Sequence, residues 1–378
     1  MSSTTWDELA GVALARQFPE MAGRSAGDVA EAVRRIGPIQ SQTARSPFLG
    51  LAARLPGVTH AAITDAYETF GIVRGSVIRG TVHTTVPDHH VLLEAATRAG
   101  NRRVWERTLR LAHTSLEAVW SGIEEFARED WRTPDELYAH LLVWLAEHGE
   151  ETTSKRLSDT VARYLGFGHG GLVRRPRKGD WSGQGAAEYH TAMALLGDRT
   201  ARLADPFVLD DLVRMHLMVH GPASRLDLAW WAGLTVTAVD EVLARLDLAA
   251  VTGPDGKEYV DLPDAPAPLE LSGVRLLPEF DALMCAYHPA ARARFVSAEH
   301  HAVLWNGKNG LVLPPLLVDG RITGYWRATG SARRRPLEVT WFSGTRRPRK
   351  AELEEPVAAL EAALGITVTG VAVSREAG

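Results

Sequence analysis

The chain has 378 residues, of which 45% are hydrophobic and 23% are charged, and its formal net charge is −4. This length exceeds what one hydrophobic core fills, so we expect two to four modules of globular composition. The single cysteine, Cys285, excludes an intrachain disulfide and a thiolate metal cluster. Since no apolar run is long enough to cross a bilayer and residues 1–8 lack the features of a signal peptide, we expect a cytoplasmic protein.

The first hundred residues predict four helices and a β-hairpin. Apolar residues recur at helical spacing in four segments, at 6–18, 29–36, 48–55 and 61–70. From Ile72 to Val86 the chain changes to β-branched residues, with Gly75 and Gly80 as breakers, which predicts a two-stranded wing. Pro87 ends this wing, and Asp88 is placed to cap the next helix.

A similar order of elements returns twice. Helices are predicted at 116–126, 134–147 and 154–164, before strand residues at 171–175 and a turn near Gly179. Further helices at 209–219, 224–232 and 236–246 precede a hairpin whose turn is Pro254-Asp255-Gly256. Because three helices and a hairpin make up a winged helix, we predict three tandem winged-helix modules, over 1–110, 111–203 and 204–263.

The remaining residues, 264–378, predict a β-rich module. A Pro- and Ala-rich linker at 263–268 precedes short strands at 274–277, 310–313, 315–318, 321–326 and 337–342. Asp319-Gly320 is a typical two-residue hairpin turn, and an amphipathic helix over 351–364 is predicted to close the module. The predicted fold is therefore α+β, with three winged helices followed by a small β-rich module and a terminal helix.

The negative net charge conceals basic clusters, which are of interest because charge distribution decides whether a phosphate backbone is attracted. One cluster consists of Arg174, Arg175, Arg177 and Lys178, and a longer one of Arg333, Arg334, Arg335, Arg346, Arg347, Arg349 and Lys350. A third consists of Arg98, Arg102, Arg103, Arg107 and Arg110. Such clusters favour nucleic-acid binding, although each is also compatible with a solvated face.

A pair of glutamines, Gln40 and Gln42, is the candidate catalytic feature. In an extended or turn backbone, residues two apart lie on the same side. Each amide offers one carbonyl acceptor and two N–H donors, so the pair can hold a water molecule without removing its proton. This restricts the chemistry to reactions whose leaving group already departs easily.

With these features in place, the chain resembles the AlkZ-type winged-helix DNA glycosylases over nearly its whole length. The motifs that carry the resemblance are Gln40-Ser41-Gln42, Ile78-Arg79-Gly80-Thr81-Val82-His83, Leu277-Pro278-Glu279-Phe280-Asp281, Asn306-Gly307-Lys308-Asn309-Gly310, Val318-Asp319-Gly320-Arg321 and Gly324-Tyr325-Trp326-Arg327. In that family two glutamines around an aliphatic residue, or glutamine and aspartate in a sister group, form the catalytic motif. This chain has Ser41 in the middle, and its side chain should point away from the other two.

The resemblance implies hydrolysis of the N-glycosidic bond of an alkylated purine in duplex DNA, with Gln40 and Gln42 as catalytic residues. The residue types agree, because a purine alkylated at N7 or N3 is cationic and leaves without protonation. What remains is to stabilise an oxocarbenium-like sugar and to position water, which neutral amide carbonyls can do. Simple alkyl adducts, bulky natural-product adducts and interstrand crosslinks share this leaving group, and the sequence does not distinguish them.

Other chemistries fit the sequence less well. A lyase acting through a Schiff base needs a desolvated lysine, and none of the five lysines has such a setting. The adjacent pairs His89-His90 and His300-His301 do not face one another on a helix, and the pattern of a zinc deaminase is absent. We therefore predict a monofunctional glycosylase that needs no metal and no cofactor.

The expected partner is double-stranded DNA containing alkylated purines, bound by a nucleoid-associated monomer. The predicted DNA contacts are Arg74, Arg79 and His83 on the wing, together with the clusters at 174–178, 333–335 and 346–347. For the wing, the alternatives are an ion pair between one arginine and Asp65 or Glu68, and a partly buried structural role for His83.

Two other functions compete with the glycosylase. A transcription regulator would use the recognition helix of the third module, but that helix presents Asp240 and Glu241, which repel phosphates. A non-catalytic protein that sequesters a natural product would need an aromatic-lined cavity, to which Trp230-Trp231 could contribute. Binding of a small natural product without DNA would favour this last function.

Overall fold

The computed structural model describes residues 3–109, 111–152, 168–198, 200–306, 310–330 and 333–376. Its helices are α1 (Trp6–Gln17), α2 (Ala26–Ile36), α3 (Ser46–Ala52), α4 (His60–Glu68), α5 (Pro87–Leu109), α6 (Leu116–Phe126), α7 (Pro134–Glu147), α8 (Ala192–Leu196), α9 (Thr200–Leu203), α10 (Val208–His220), α11 (Arg225–Ala232), α12 (Val236–Leu243), α13 (Ala282–Cys285), α14 (Ala298–Leu304) and α15 (Glu354–Leu364). None of these helices combines the length and the apolar character that crossing a bilayer requires.

The strands are short except in the carboxy-terminal module. They are β1 (Ile39–Gln40), β2 (Val73–Ser76), β3 (Val82–Thr85), β4 (Leu172–Pro176), β5 (Ala187–Thr191), β6 (Ala249–Thr252), β7 (Glu258–Asp261), β8 (Val274–Leu276), β9 (Trp305–Asn306), β10 (Leu311–Val312), β11 (Pro315–Val318), β12 (Arg321–Ala328), β13 (Arg334–Trp341) and β14 (Thr367–Arg375). The mixture of helices and sheets confirms the predicted α+β class.

Helix starts follow local sequence signals. Reciprocal capping boxes begin α1 at Thr5, α2 at Ser25, α7 at Thr133 and α11 at Ser224. In each case the hydroxyl accepts an otherwise unpaired backbone N–H, and an acidic residue three positions later accepts the N–H of the capping residue. This local chemistry explains why the predicted helices at 6–18, 29–36, 134–147 and 224–232 are confirmed.

The wing of the first module belongs to a larger sheet. Its strands β2 and β3 form a hairpin, and a short 3₁₀ turn at Ile78–Gly80 makes the tip. The sheet continues on both sides, in the order β1-β3-β2-β4-β5, so β4 and β5 of the second module complete it. The predicted boundary near residue 110 therefore crosses a continuous sheet. The predicted helix at 154–164 lies outside the described residues.

The third module has the element order that the sequence predicts. Helices α10, α11 and α12 precede the hairpin of β6 and β7, in which Gly256 adopts a positive φ of 74°. Buried aliphatic residues of the three helices form a core with Val260 of β7. A second core joins this module to α1, α5 and the carboxy-terminal module.

The carboxy-terminal module is a five-stranded sheet in the order β14-β13-β12-β11-β8. The prediction of a terminal helix is wrong, because β14 follows α15 and pairs in parallel with β13. The alternation in this strand is interrupted, since Val368, Val371 and Val373 pack toward the core and Gly370 falls between them. The sequence analysis likewise missed α13 and α14, which are four and seven residues long.

Candidate active site

The glutamine motif lies at the edge of the first sheet. Strand β1 pairs antiparallel with β3, which places Gln40 opposite His83. One residue further, the Ser41 N–H donates to the Val82 carbonyl over 2.7 Å. The backbone of the motif is therefore fixed against β3, the wing strand that is paired with β1.

The two glutamines differ in exposure and in bonding. Gln42 is exposed, and its Oε1 accepts a hydrogen bond from the Val82 N–H over 3.1 Å. The second lone pair of that carbonyl and both N–H donors of the amide remain available. Gln40 is half-buried, and within the described residues its side-chain amide has no hydrogen-bond partner. The structure thus orients Gln42 and leaves the Gln40 amide free for a ligand.

A chain of buried hydroxyl groups fixes Ser41. Its Oγ donates to the Ile39 carbonyl over 2.9 Å and accepts from Thr84 over 2.8 Å. Thr84 accepts from the Tyr67 hydroxyl over 2.6 Å, and Tyr67 accepts from Arg74 over 3.1 Å. A guanidinium only donates and a carbonyl only accepts. The hydroxyls of Tyr67, Thr84 and Ser41 therefore each donate toward the Ile39 end of the chain. The Ser41 side chain is therefore directed into the module, away from the exposed Gln42.

Arg74 is an internal residue, and DNA contact by it does not fit the structure. Its side chain is among the buried ones, with the residue 5% exposed, and it donates to the carbonyls of Ala44 and Trp181 over 3.1 Å each. The guanidinium also lies over the rings of Tyr67 and Trp181. A phosphate cannot reach it there. The alternative pairing with Glu68 is not observed, since that carboxylate accepts from the Trp181 indole N–H over 2.5 Å.

His83 is also withdrawn from the surface. Its Nδ1–H donates to the Thr81 carbonyl over 2.9 Å, and burial lowers the pKa of His83 to about 3. The imidazole is therefore neutral at pH 7 and cannot donate a proton as a general acid. A direct contact between His83 and a phosphate, as the sequence suggested, does not fit this buried position.

Two small cavities are lined in part by Gln40. Each has a volume of about 20 Å³, and Gln40, Pro38, Phe280 and Ala282 line both of them. One of the two also reaches His83. A cavity of this size holds about one water molecule. The site therefore has room for an ordered water beside a free amide, and neither cavity has room for a purine base.

The tip of the wing contacts the third module. Arg79 adopts a positive φ of 51° and donates to the carbonyls of Trp230 and Trp231 over 2.7 and 3.0 Å, at the end of α11. The predicted DNA contact by Arg79 therefore competes with an internal role. Trp231 is buried, and Trp230 lies under the guanidinium at 5.7 Å from the ring centroid. Trp231 lines the cavity that also reaches Gln40 and His83, whereas Trp230 is 39% exposed. That cavity, of about 20 Å³, is too small for a natural product.

The segment Leu277–Asp281 lines a cavity together with Gln40, and the sequence analysis assigned it no role in the site. Glu279 pairs with Arg45, and Asp281 pairs with Arg54 over 2.9 Å. These arginines flank α3, the helix that follows the glutamine motif. Phe280, between the two carboxylates, has a positive φ of 59°. The motif Leu277–Asp281 was the available signal, but its partners are more than 200 residues away in sequence.

Comparison with known proteins supports the motif-based resemblance. The model of the family described as DNA glycosylase AlkZ-like matches residues 33–363, which is most of the chain. The chain belongs to the AlkZ-like DNA glycosylase family. A curated relative, the interstrand DNA cross-link repair glycosylase of Streptomyces sahachiroi, is 21% identical over 380 residues, covering 96% of this chain and 97% of the relative. The family-model match, over residues 33–363, includes both Gln40 and Gln42.

A solved structure shows the same fold. Streptomyces sahachiroi DNA glycosylase AlkZ superposes with a TM-score of 0.80 at 19% identity, over 99% of this chain and 100% of that chain. For an AlkZ-like protein, the basic clusters are of interest as DNA-binding surfaces.

The cluster at 174–178 begins on β4 and continues into the turn that follows it. In the sheet, β3 and β2 separate β4 from β1. Arg175 and Arg177 both approach Glu188, at 3.2 and 3.7 Å, and Arg175 also lies over Trp131 at 4.2 Å. Arg174 is half-buried beside the Tyr189 ring, whereas Lys178 is exposed in the β4–β5 turn. The charge of this cluster is partly compensated within the protein.

The longer cluster of the AlkZ-like chain is two clusters in space. Strand β13 separates them, with Arg333, Arg334 and Arg335 at its beginning and the others beyond its end. Eight residues of strand span roughly 25 Å. Arg346 pairs with Asp319 over 2.7 Å and with Glu352 over 3.0 Å, whereas Arg347 is exposed. The arginines that are grouped in the sequence therefore lie at opposite ends of β13, and they differ in pairing.

Two further expectations concern scaffold residues. Arg98 donates to Glu94, Glu117 and Glu124, so this member of the third cluster is an internal ion-pair centre. In the third module, Asp240 of α12 pairs with Arg225 over 2.9 Å. Helix α12 itself contains no lysine or arginine, so it offers no positive charge to a DNA backbone.

Proposed function

We propose that this AlkZ-like protein hydrolyses the N-glycosidic bond of cationic N-alkylated purines in duplex DNA. The observation that carries the proposal is the free amide of Gln40 beside cavities the size of one water, with Gln42 fixed two residues further along the chain. The DNA glycosylase family model covers the segment that contains both glutamines, which supports this assignment.

The proposed reaction needs neither an acid nor a strong base. The departing purine takes both electrons of the C1′–N bond, which neutralises its positive charge and leaves a cationic sugar. The amide carbonyl of Gln40 stabilises that cation and holds the water whose oxygen bonds to C1′. The resulting protonated hemiacetal is a strong acid and loses its proton to solvent. A neutral His83 and a Cys285 whose pKa burial raises to about 12 supply neither an acid nor a thiolate.

The substrates are proposed to include adducts too large for a closed pocket. The cavities at Gln40 do not accommodate a purine, which favours attack on a nucleotide held in an open groove rather than one flipped into the protein. The relative's activity is named as interstrand cross-link repair. We therefore extend the proposal to bulky natural-product adducts and interstrand crosslinks, with a monofunctional mechanism.

The test is base release from three duplexes, which carry N7-methylguanine, a bulky N7 adduct or an N7-linked interstrand crosslink. Gln40→Ala and Gln42→Ala should each lower the single-turnover rate by about 10²–10³, the usual effect of losing one preorganised group. Gln184→Ala, in an exposed loop, is the matched control and should have the wild-type rate.

Two results would contradict this proposal. Turnover near the wild-type rate in both glutamine variants would reject the site. Trapping of a covalent protein–DNA adduct with borohydride would reject the monofunctional mechanism, since a Schiff base forms only with an amine nucleophile.

A further inference from the structure

Phe280 has a backbone conformation that an aromatic residue rarely adopts. Its φ of 59° lies in the left-handed region, where the Cβ atom meets the carbonyl oxygen and glycine or asparagine is usual. The side chain is only half-buried, so burial of its ring compensates this cost incompletely. If the position had a structural role alone, a glycine would fill it at lower cost.

The surrounding ion pairs hold this conformation in place. The carboxylate of Asp281 accepts from Arg54 over 2.9 Å and from the Leu283 N–H over 3.0 Å, and both side chains of the ion pair are buried. On the other side, Glu279 pairs with Arg45. Phe280 is therefore fixed to both ends of α3, the helix whose amino-terminal end follows Gln42.

The strained residues converge on one place. The described chain contains four non-glycine residues with positive φ, and two of them, Arg79 and Phe280, line the same cavity as Gln40. Strain that surrounding structure maintains tends to cluster at ligand-contacting sites. Here the two strained residues lie beside Gln40, whose amide the proposed function places against the sugar.

We propose that Phe280 is a substrate-contacting residue whose ring packs against the cationic alkylated purine while Gln40 faces C1′. This inference rests on the proposed function and adds the group that recognises the base. The face of an aromatic ring is electron-rich, so it attracts a cationic purine more strongly than a neutral one. The edge-on contact with Trp305, at 6.3 Å between ring centroids, supports the ring from behind.

The experiment compares Phe280→Leu with Phe280→Tyr, because leucine retains apolar volume without a ring and tyrosine retains the ring. We expect kcat/KM for release of N7-methylguanine to fall about tenfold or more in Phe280→Leu, the usual effect of removing a base–aromatic contact. Phe280→Tyr should stay within about threefold of wild type. Phe207→Leu, at an aromatic residue that is 59% exposed elsewhere, should be unchanged.

A second readout does not require turnover. A 2′-fluorinated N7-methylguanosine keeps its base because the fluorine destabilises the cationic sugar, so duplexes with and without this nucleotide can be compared for binding. The wild-type protein should prefer the modified duplex, and Phe280→Leu should lose that preference while its melting temperature stays near that of Phe280→Tyr.

The outcomes separate this inference from the proposed function. If wild type releases no base but prefers the modified duplex through Phe280, the proposed hydrolysis fails and the contact stands. Equal activity and equal preference in Phe280→Leu and wild type would overturn the role of Phe280. Equal losses in Phe280→Leu and Phe280→Tyr would also overturn it, because they indicate a structural role. Absence of any preference in wild type overturns it as well.

Discussion

Ser41 shows how one residue can alter the internal chemistry of a site without touching the reacting groups. The AlkZ-type resemblance implies an aliphatic residue between the two glutamines, and the buried Ser41 that stands there requires hydrogen-bond partners. Thr84 and the Ile39 carbonyl supply them. Tyr67 and Arg74 extend the chain of hydrogen bonds, so the buried serine is satisfied by residues from four elements, β1, α4, β2 and β3.

Removing the Ser41 hydroxyl should destabilise the protein measurably. In Ser41→Ala the hydroxyl of Thr84, which is fully buried, loses its acceptor. An unsatisfied buried hydroxyl costs about 1–3 kcal/mol, so we expect the free energy of unfolding in urea to fall by that amount. Ser182→Ala, in a half-buried loop, is a control in which the change should be smaller. An unchanged stability of Ser41→Ala would mean that the hydroxyl chain does not hold the motif.

Residue roles could be predicted from sequence only where the partner is close or the chemistry is distinctive. The glutamine pair was identified because two amides two residues apart suggest water positioning. The burial of Arg74 could not be predicted, because Trp181 reaches Arg74 from 107 positions further along the chain. A basic or imidazole side chain on a hairpin has the same local signature whether it faces DNA or the core.

The wing and helix α11 form the principal contact between elements at the site. Arg79 is placed at the carboxy-terminal end of α11, where helix carbonyls lack partners and the helix dipole is negative. Gly233, which ends α11 with a φ of 69°, lies against the Arg79 side chain, and an added Cβ would approach its Cγ to 3.1 Å. The wing tip thus couples the first module to the third.

Arg79→Ala should therefore affect stability as well as activity. Loss of two hydrogen bonds to helix carbonyls is expected to lower the free energy of unfolding by about 1 kcal/mol. Arg225→Ala, which removes an exposed ion pair on the same helix, should cost less. Urea unfolding and the affinity for duplex DNA would be measured for both variants. Wild-type stability with weakened DNA binding would instead show that Arg79 leaves α11 to bind phosphate.

Elements were predictable where local signals agree. Helices α1, α2, α7 and α11 begin at capping residues, and the hairpin of the third module follows from its Asp-Gly turn. Strand β14 was missed because Gly370 interrupts its alternation, and pairing with β13 alone makes it a strand. Strand β1 is two residues long, which is too short for any periodic pattern.

For the whole molecule, the basic clusters matter more than the net charge, and their pairing separates them. Arg346 has two acidic partners, and those contacts raise the pKa of its guanidinium above the usual value. Arg347, its neighbour in sequence, and Arg334, at the opposite end of β13, are both exposed. A sequence pattern of repeated arginines cannot show which of them nearby carboxylates compensate.

DNA affinity measured against salt concentration separates these arginines. A variant that loses one phosphate contact should lower the slope of log K against log salt by about one unit. We expect that change in Arg347→Ala if the end of β13 near Trp341 faces DNA, or in Arg334→Ala if the opposite end does. In Arg346→Ala the slope should be unchanged. Equal slopes in all three variants would place the DNA surface elsewhere in the protein.

The stability of the whole molecule should depend on pH through its buried histidines. Burial lowers the pKa of His83 to about 3 and of His216 to about 4, and it holds the pKa of His220 well below 6.5. Below pH 6.5 the unfolded chain binds protons that the folded protein excludes. Folding stability is therefore fully present above pH 6.5 and falls as the pH decreases toward these folded-state values.

Urea unfolding between pH 7.5 and pH 5 tests this dependence. Each such histidine contributes a slope of up to about 1.4 kcal/mol per pH unit below pH 6.5. In His216→Gln the new amide can replace the hydrogen bond from Nε2 to the Ala286 carbonyl, which spans 3.1 Å, but it cannot titrate. The slope should therefore decrease by about that amount. A slope equal to that of wild type would show that His216 takes up its proton in the folded protein as readily as in the unfolded chain. A histidine with the same pKa in both states adds no pH dependence to the free energy of unfolding.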